Sequence, residues 1–152
     1  MRILEALDKA AVLPEMRGRD KRAALEELSA ALAKNLGVDP QRIVQVLLDR
    51  EKLGSTGIGD GIAIPHGKVR GVNALRVGFG RSREGVDFEA MDGKSTHLFF
   101  VLLAQEASVG DHLKMLARIS RLLKDPENRK RLLDAETAED ILSIIDEGDG
   151  KQ

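Results

Sequence analysis

Between Asp20 and Leu36 the apolar residues Ala24, Leu25, Leu28, Ala31, Leu32 and Leu36 recur at steps of three and four, the spacing that gathers side chains on one helical face. Gly37 is placed to close this helix as a C′ residue. Asp39 and Pro40 then supply an N-cap and a first helical position for a second helix, with stripe Ile43, Val46 and Leu47 and an end near Leu53 and Gly54. Leu75 to Phe79 and Leu98 to Leu103 read as strands, and the second, apolar at every position, is expected to be central in its sheet. GVDFEAMDG between them reads as a short edge element with turns. Ser108 and Asp111 have capping-box spacing ahead of a helix from Asp111 to Lys124. Asp125-Pro126 and Thr137 with Asp140 open two more helices, and the polar tail after Glu147 is expected to fray. Helices surround a few strands without strict βαβ alternation or an internal repeat. The expectation is an α/β fold, a mixed central β-sheet flanked by helices, with one domain over residues 1–148 and a frayed tail at 149–152.

Residues 54 to 71, GSTGIGDGIAIPHGKVRG, follow neither period. Glycines alternate with β-branched residues, so Ile58, Ile62, Ala63 and Ile64 can anchor the segment while the glycines permit positive φ and close backbone approach. That pattern suits a rigid binding loop.

Composition narrows the function classes. The chain has no cysteine, which removes disulfides, thiolate nucleophiles and zinc thiolate sites and suits a reducing cytosol, so a cytoplasmic location is expected. Its formal charge is -1, it has no Trp or Tyr, and no apolar run approaches a membrane span or a signal-peptide core. Nucleic-acid binding and membrane insertion are therefore not expected, and protein or small-molecule partners remain.

Three side chains stand out. His66 lies between Pro65, which stiffens the approach, and Gly67, which keeps space open. A neutral imidazole held there is a nucleophile, and its phosphorylated form is a reactive phosphoramidate. Gly54, Gly57, Gly59 and Gly61, with Ser55 and Thr56, could surround an anion with backbone amides and hydroxyls, and Asp60 could orient an imidazole N–H or simply form a turn. His112 shares a helical face with Met115, Leu116, Ile119, Leu122 and Leu123, so it points toward the sheet, as a hydrogen-bonded core histidine or as a donor to phosphate. Arg50 shares the face of Ile43, Val46 and Leu47 and needs a partner: a carboxylate, a helix-end carbonyl or a phosphate dianion. His97, at a strand start beside LFFVLL, reads as structural, and Lys68 as solvated.

Other chemistries fit less well. Gly61 is followed by Ile62 and Ala63 rather than by Lys and Ser or Thr, and a helix rather than a strand precedes the glycines, so neither nucleotide-loop pattern is satisfied. Ser55 and Ser108 lack a nucleophile-elbow context. His66, His97 and His112 lack the spacing of a helical metal site, so no metal is expected. A purely structural interaction module stays open.

GSTGIGDGIAIPHGK, residues 54 to 68, resembles the active-site signature of type 2 enzyme IIA phosphocarriers of the phosphotransferase system, the fructose, mannitol and nitrogen-regulatory family. REKLGSTG leads into it as in those domains, and DHLKMLARIS resembles the segment that supplies their second histidine. The resemblance implies a phosphorylated histidine matching His66, carrying the group on its tele nitrogen, with a supporting histidine matching His112 and an arginine matching Arg50. It implies a histidine-containing carrier protein of the HPr kind as donor, charged from phosphoenolpyruvate through enzyme I, and no cofactor. Downstream it implies either an enzyme IIB in sugar uptake or a regulated target protein. The wording STGIGDGIAIPHGK is most like the nitrogen-regulatory branch, and with no IIB cysteine site or membrane domain the expectation is a freestanding regulator. Ile58, Ile62 and Val69 are possible docking contacts or core anchors.

Overall fold

The computed structural model describes residues 1–150. In chain order the elements are α1 (Ile3–Ala6), β1 (Leu7–Leu13), α2 (Lys21–Ala33), α3 (Pro40–Glu51), β2 (Gly57–Gly59), β3 (Ile62–Ala63), β4 (His66–Lys68), β5 (Arg76–Val86), β6 (Thr96–Ala104), α4 (Asp111–Lys124), α5 (Pro126–Asp134) and α6 (Ala138–Gly150). The strands form one sheet in the order β1-β5-β6-β3-β2, with β4 also paired to β6. β1 runs parallel to β5, β5 antiparallel to β6, and β3 and β4 parallel to β6, so the sheet is mixed as expected.

β6 is the central strand, and its apolar run follows from being covered on both sides. Leu98, Phe100 and Leu102 join the core under α1, α4, α5 and α6, whereas Phe99, Val101 and Leu103 join the core under α2 and α3. One edge-to-face aromatic pair braces each core: Phe79 with Phe100 at 5.0 Å and Phe88 with Phe99 at 5.3 Å between ring centres. Among the described residues no helix is long and apolar enough to cross a membrane.

The expected helix starts hold at four places, where side-chain oxygens accept first-turn amides. Asp20 accepts from Ala23, Asp39 from Gln41, Asp125 from Glu127 and Thr137 from Asp140. Four expectations need correction. α1 and β1 went unpredicted because Asp8 and Lys9 interrupt the alternation and a register shift separates Leu7 from Val12. β5 extends to Val86, well beyond Phe79, because Gly80 lets Met16 and Leu28 close over the strand, where a Cβ would lie 2.4 Å from Met16 Sδ. The strand also carries Arg81, whose buried guanidinium donates through Nε and Nη1 to carbonyls from elsewhere in the chain, while Nη2 is left without a hydrogen-bond partner among the described residues. The capping box at Ser108 does not form: the N-cap of α4 is Gly110, with no side-chain cap, and the Ser108 hydroxyl is engaged by His112. Finally, the tail expected to fray includes Asp149 and Gly150, which belong to α6. Gly148 fits closely against Leu122, and the buried Asp149 carboxylate accepts the Ile3 amide and pairs with Arg118. Lys151 and Gln152 lie outside the described residues.

Candidate functional site

β3 and β4 lie end to end along one edge of β6. Ile62 and Ala63 pair with Leu98 and Phe99, and His66, Gly67 and Lys68 pair with Leu102, Leu103 and Ala104. Pro65 sits in the break, where it has no N–H to contribute, while its carbonyl accepts the Leu102 amide at 3.0 Å. The glycine-rich segment is thus a set of three short strands on the central sheet rather than a free loop. His66 is therefore clamped at the backbone while its side chain stays half-buried.

α3 and α4 converge beside β4. Val46, Asp49, Arg50 and Leu53 from α3 and its end, His66, Gly67 and Lys68, Leu102 and Ala104 from β6, and His112 from α4 line one cavity of about 320 Å³. The three residues matched by the resemblance, distant in sequence, meet there.

The ring orientation of His66 is decided by one contact: Nδ1 lies 2.7 Å from the Ile64 carbonyl oxygen. A carbonyl only accepts, so Nδ1 carries the hydrogen and the neutral ring keeps its lone pair on Nε2. Arg50 spends one donor on the Gly54 carbonyl at 3.0 Å, the helix-end partner anticipated above, and the residue also lines the cavity. His112 Nδ1 lies 3.1 Å from Ser108 Oγ, a hydroxyl that can donate to it and so leave the hydrogen on Nε2. His112 is half-buried rather than sealed in the core.

Gly67 decides how closely α3 approaches. A Cβ there would lie 2.5 Å from Val46 Cγ1, on a stiff β-branched side chain that cannot swing clear. Gly67→Ala is expected to push α3 outward and carry Arg50 away from His66. A displacement near 1 Å corresponds to a rate loss of up to about 100-fold. The measurement is phosphoryl-transfer rate, and Val46→Ala in the same chain should restore most of it; equal rates for Gly67→Ala and the parent would show that this packing does not position Arg50.

Ser55, Thr56, Gly57, Gly59, Asp60 and Gly61, expected beside the phosphate, do not line the cavity. Ser55 Oγ donates to the Phe88 carbonyl and accepts the Gly57 amide. Thr56 is buried, its amide 3.1 Å from Glu51 Oε1 and its hydroxyl donating to Oε2. Gly57 pairs with Ala63, and Gly59, Asp60 and Gly61 form the β2–β3 turn with φ of 99°, 56° and 75°. The Gly61 carbonyl accepts the His97 and Leu98 amides. The Ser55 and Thr56 hydroxyls are thus engaged within the fold, and Asp60, exposed and at positive φ, takes the turn-forming role. His97 Nδ1 meets the Ser82 carbonyl at 2.8 Å, a structural role as expected, and it too lies outside the cavity.

Two contributors went unseen in the sequence. Glu51, buried at the end of α3, pairs with Lys21 at 3.0 Å and holds Thr56 with both oxygens, so it ties the start of the glycine-rich segment to the helix that carries Arg50. Lys68 was expected to be solvated, yet it lines the cavity and donates to the Ser108 carbonyl at 2.9 Å. Its position two residues after His66 on a strand, hence on the same face, was the available signal. Ile62 and Val69 prove to be core and only Ile58 is exposed; the apolar rim of the cavity comes instead from Leu53, 83% exposed, with Val109 at 94% and Leu113 at 60% flanking Ser108 and His112 in the chain.

A mixed α/β/α sheet presenting one nucleophilic imidazole beside a guanidinium, an ammonium and a second imidazole has the equipment of a phosphoryl carrier protein. Residues 5–148 match the family described as "Phosphoenolpyruvate-dependent sugar phosphotransferase system, EIIA 2", and the chain belongs to it as a phosphotransferase component. It is 42% identical over 145 residues to a nitrogen regulatory protein of Bradyrhizobium diazoefficiens, covering 95% of each chain. It is 40% identical over 150 residues to the fructose-specific EIIABC component of Bacillus subtilis, covering 98% of this chain and 24% of that one. Its fold is similar to the crystal structure of nitrogen regulatory protein IIA-Ntr from Neisseria meningitidis, with a TM-score of 0.87 and 35% identity over 93% of this chain and 97% of the other.

Proposed function

We propose that His66 Nε2 accepts a phosphoryl group from the phosphohistidine of a small histidine-containing carrier protein, and that the chain works in the cytoplasm as a nitrogen-regulatory type of enzyme IIA. The observation that carries this reading is the Nδ1 contact to the Ile64 carbonyl, which leaves the Nε2 lone pair in a cavity shared with Arg50 and His112. The bond from phosphorus to Nε2 forms as the donor's N–P bond breaks. Because the leaving imidazole takes back its own electron pair and His66 keeps its Nδ1 hydrogen, no proton has to be removed. What the protein contributes is in-line alignment and charge: Arg50 and the His112 Nε2–H stabilise the equatorial oxygens. The exposed Leu53 on the cavity wall, with the exposed Val109 and Leu113 next to Ser108 and His112 in the chain, would give a visiting protein apolar contacts.

The regulatory branch is supported by the wording of residues 55 to 68 and by the end-to-end likeness to proteins named nitrogen regulatory. The likeness to a fructose-specific EIIABC component favours a second reading, transfer onward to an enzyme IIB in sugar uptake. Adding a fructose-type enzyme IIB to the charged protein separates them: rapid loss of label to IIB speaks for uptake, retention for regulation.

Incubation with phosphoenolpyruvate, enzyme I and the carrier protein is expected to label the chain with acid-labile, base-stable phosphate. Arg50→Ala and His112→Ala should each slow labelling roughly 10- to 100-fold, the worth of one hydrogen bond to a charged group, with unchanged circular dichroism. Parent-like rates in both variants would remove their assigned roles.

A further inference from the structure

We infer that Lys68 is a phosphoryl-binding residue of this site, its ammonium exchanging the Ser108 carbonyl for the phosphoryl group when His66 is charged. The inference rests on the carrier reading above and adds a partner for the phosphate. Pairing of β4 with β6 puts His66 opposite Leu102 and Lys68 opposite Ala104, so the two side chains leave the same face of one short strand and enter the same cavity. The charge balance there is incomplete without Lys68. A phosphoryl group brings up to about two negative charges. Arg50 supplies one positive charge, while Asp49, also in the cavity wall, is occupied by Gln45 at 2.8 Å and Lys52 at 3.3 Å. Lys68 supplies the second.

Its present partner is a weaker one. The ammonium donates at 2.9 Å to the Ser108 carbonyl, a neutral acceptor, whereas a phosphoryl oxygen offers a charge-assisted bond of about twice the strength. Lysine is suited to such an exchange because its charge sits at the end of a flexible stem with three rotatable donors. The exchange also has a reach beyond the cavity. Ser108 is the residue whose hydroxyl meets His112, and Val109, 94% exposed, follows it. When the ammonium turns to phosphate it releases the segment between β6 and α4, so the charged and uncharged proteins present different surfaces to a partner.

The test uses the full chain with its carrier proteins. Lys68→Met should accept phosphate about 10- to 100-fold more slowly than the parent, and Lys68→Arg should recover most of the rate. Phosphorus NMR of the charged protein supplies a readout that a merely structural lysine would not move. The titratable or charged side chains facing the phosphoryl group are Asp49 and Arg50 from α3, Lys68 from β4 and His112 from α4, together with the His66 ring itself. An ammonium beside the group favours its dianion, so the pH midpoint of the phosphorus signal should rise in Lys68→Met and return toward the parent value in Lys68→Arg. Amide exchange at residues 105 to 110 should quicken on phosphorylation of the parent and be fast in both states of Lys68→Met. A parent that takes no label overturns the carrier reading itself. A parent that labels, beside a Lys68→Met protein with the same rate and the same phosphorus midpoint, overturns the assignment of Lys68 and leaves the carrier reading standing.

Discussion

His66→Ala is expected to take no phosphate at all from the charged carrier protein, while remaining folded. The substitution deletes the nitrogen proposed to form the bond to phosphorus. His112 is not expected to substitute for it, because at the start of α4 its Nδ1 is engaged by the Ser108 hydroxyl and its Nε2 then carries the hydrogen. Arg50 and Lys68 are cations and have no lone pair to offer. The structural cost is small by comparison. The backbone of residue 66 is held by its ladder with Leu102, which alanine preserves, and the side chain forms one hydrogen bond, to the Ile64 carbonyl. A loss of about 0.5 to 1.5 kcal/mol in unfolding free energy is the corresponding scale. Labelling and urea unfolding of the same preparation therefore separate chemistry from folding. Label persisting on His66→Ala would place the acceptor elsewhere and end the proposal.

Arg81→Met should have the opposite profile, a large loss of stability with the transfer rate of the folded protein preserved. The Arg81 guanidinium is fully buried, and burial, followed by the nearby charge of Arg83, pulls it below its ordinary pKa. Its Nε donates to the Pro14 carbonyl at 3.1 Å and its Nη1 to the Leu132 carbonyl at 2.9 Å and to that of Ala135. Leu132 belongs to the last turn of α5, whose final carbonyls have no partner within their own helix. One side chain thus satisfies the end of a helix and the exit from β1 together. Methionine keeps the stem and part of the volume but leaves those carbonyls buried and unpaired, at a cost of about 1 to 3 kcal/mol for each acceptor that finds no other partner. Arg81 lies outside the cavity of His66, so below the unfolding transition the labelling rate should match the parent. A urea midpoint within experimental error of the parent would show that the carbonyls find other partners.

Legibility followed physical locality. The starts of α2, α3 and α5 were readable because each depends on an Asp within a few residues of the amides it caps. β6 was readable because burial on both faces leaves no polar position in its middle. β1 was not, since an edge strand with a register shift shows no alternation, and the end of α6 was not, because a polar tail reveals nothing about a buried partner such as Ile3 or Arg118. The glycines of residues 57 to 61 were readable as special backbone but not as to purpose. The same dihedral freedom serves an anion nest or a tight turn, and only the neighbouring strands decide between them.

The order of residues along this chain determined the family and singled out His66 as the proposed nucleophile and Arg50 and His112 as the side chains proposed to assist it, since each sits in a local pattern of capping, stripe or signature. Tertiary structure alone decided which nitrogen of His66 is free, that Lys68 faces the same space, that Gly67 packs directly against Val46 of α3, and that Ser55 to Gly61 lie in the strands and turn beside the cavity lining rather than in it. The physical reason is that these are contacts between segments tens of residues apart: a side chain's donors and acceptors are settled by whatever packs against it, and the packing partner is not written in its own neighbourhood.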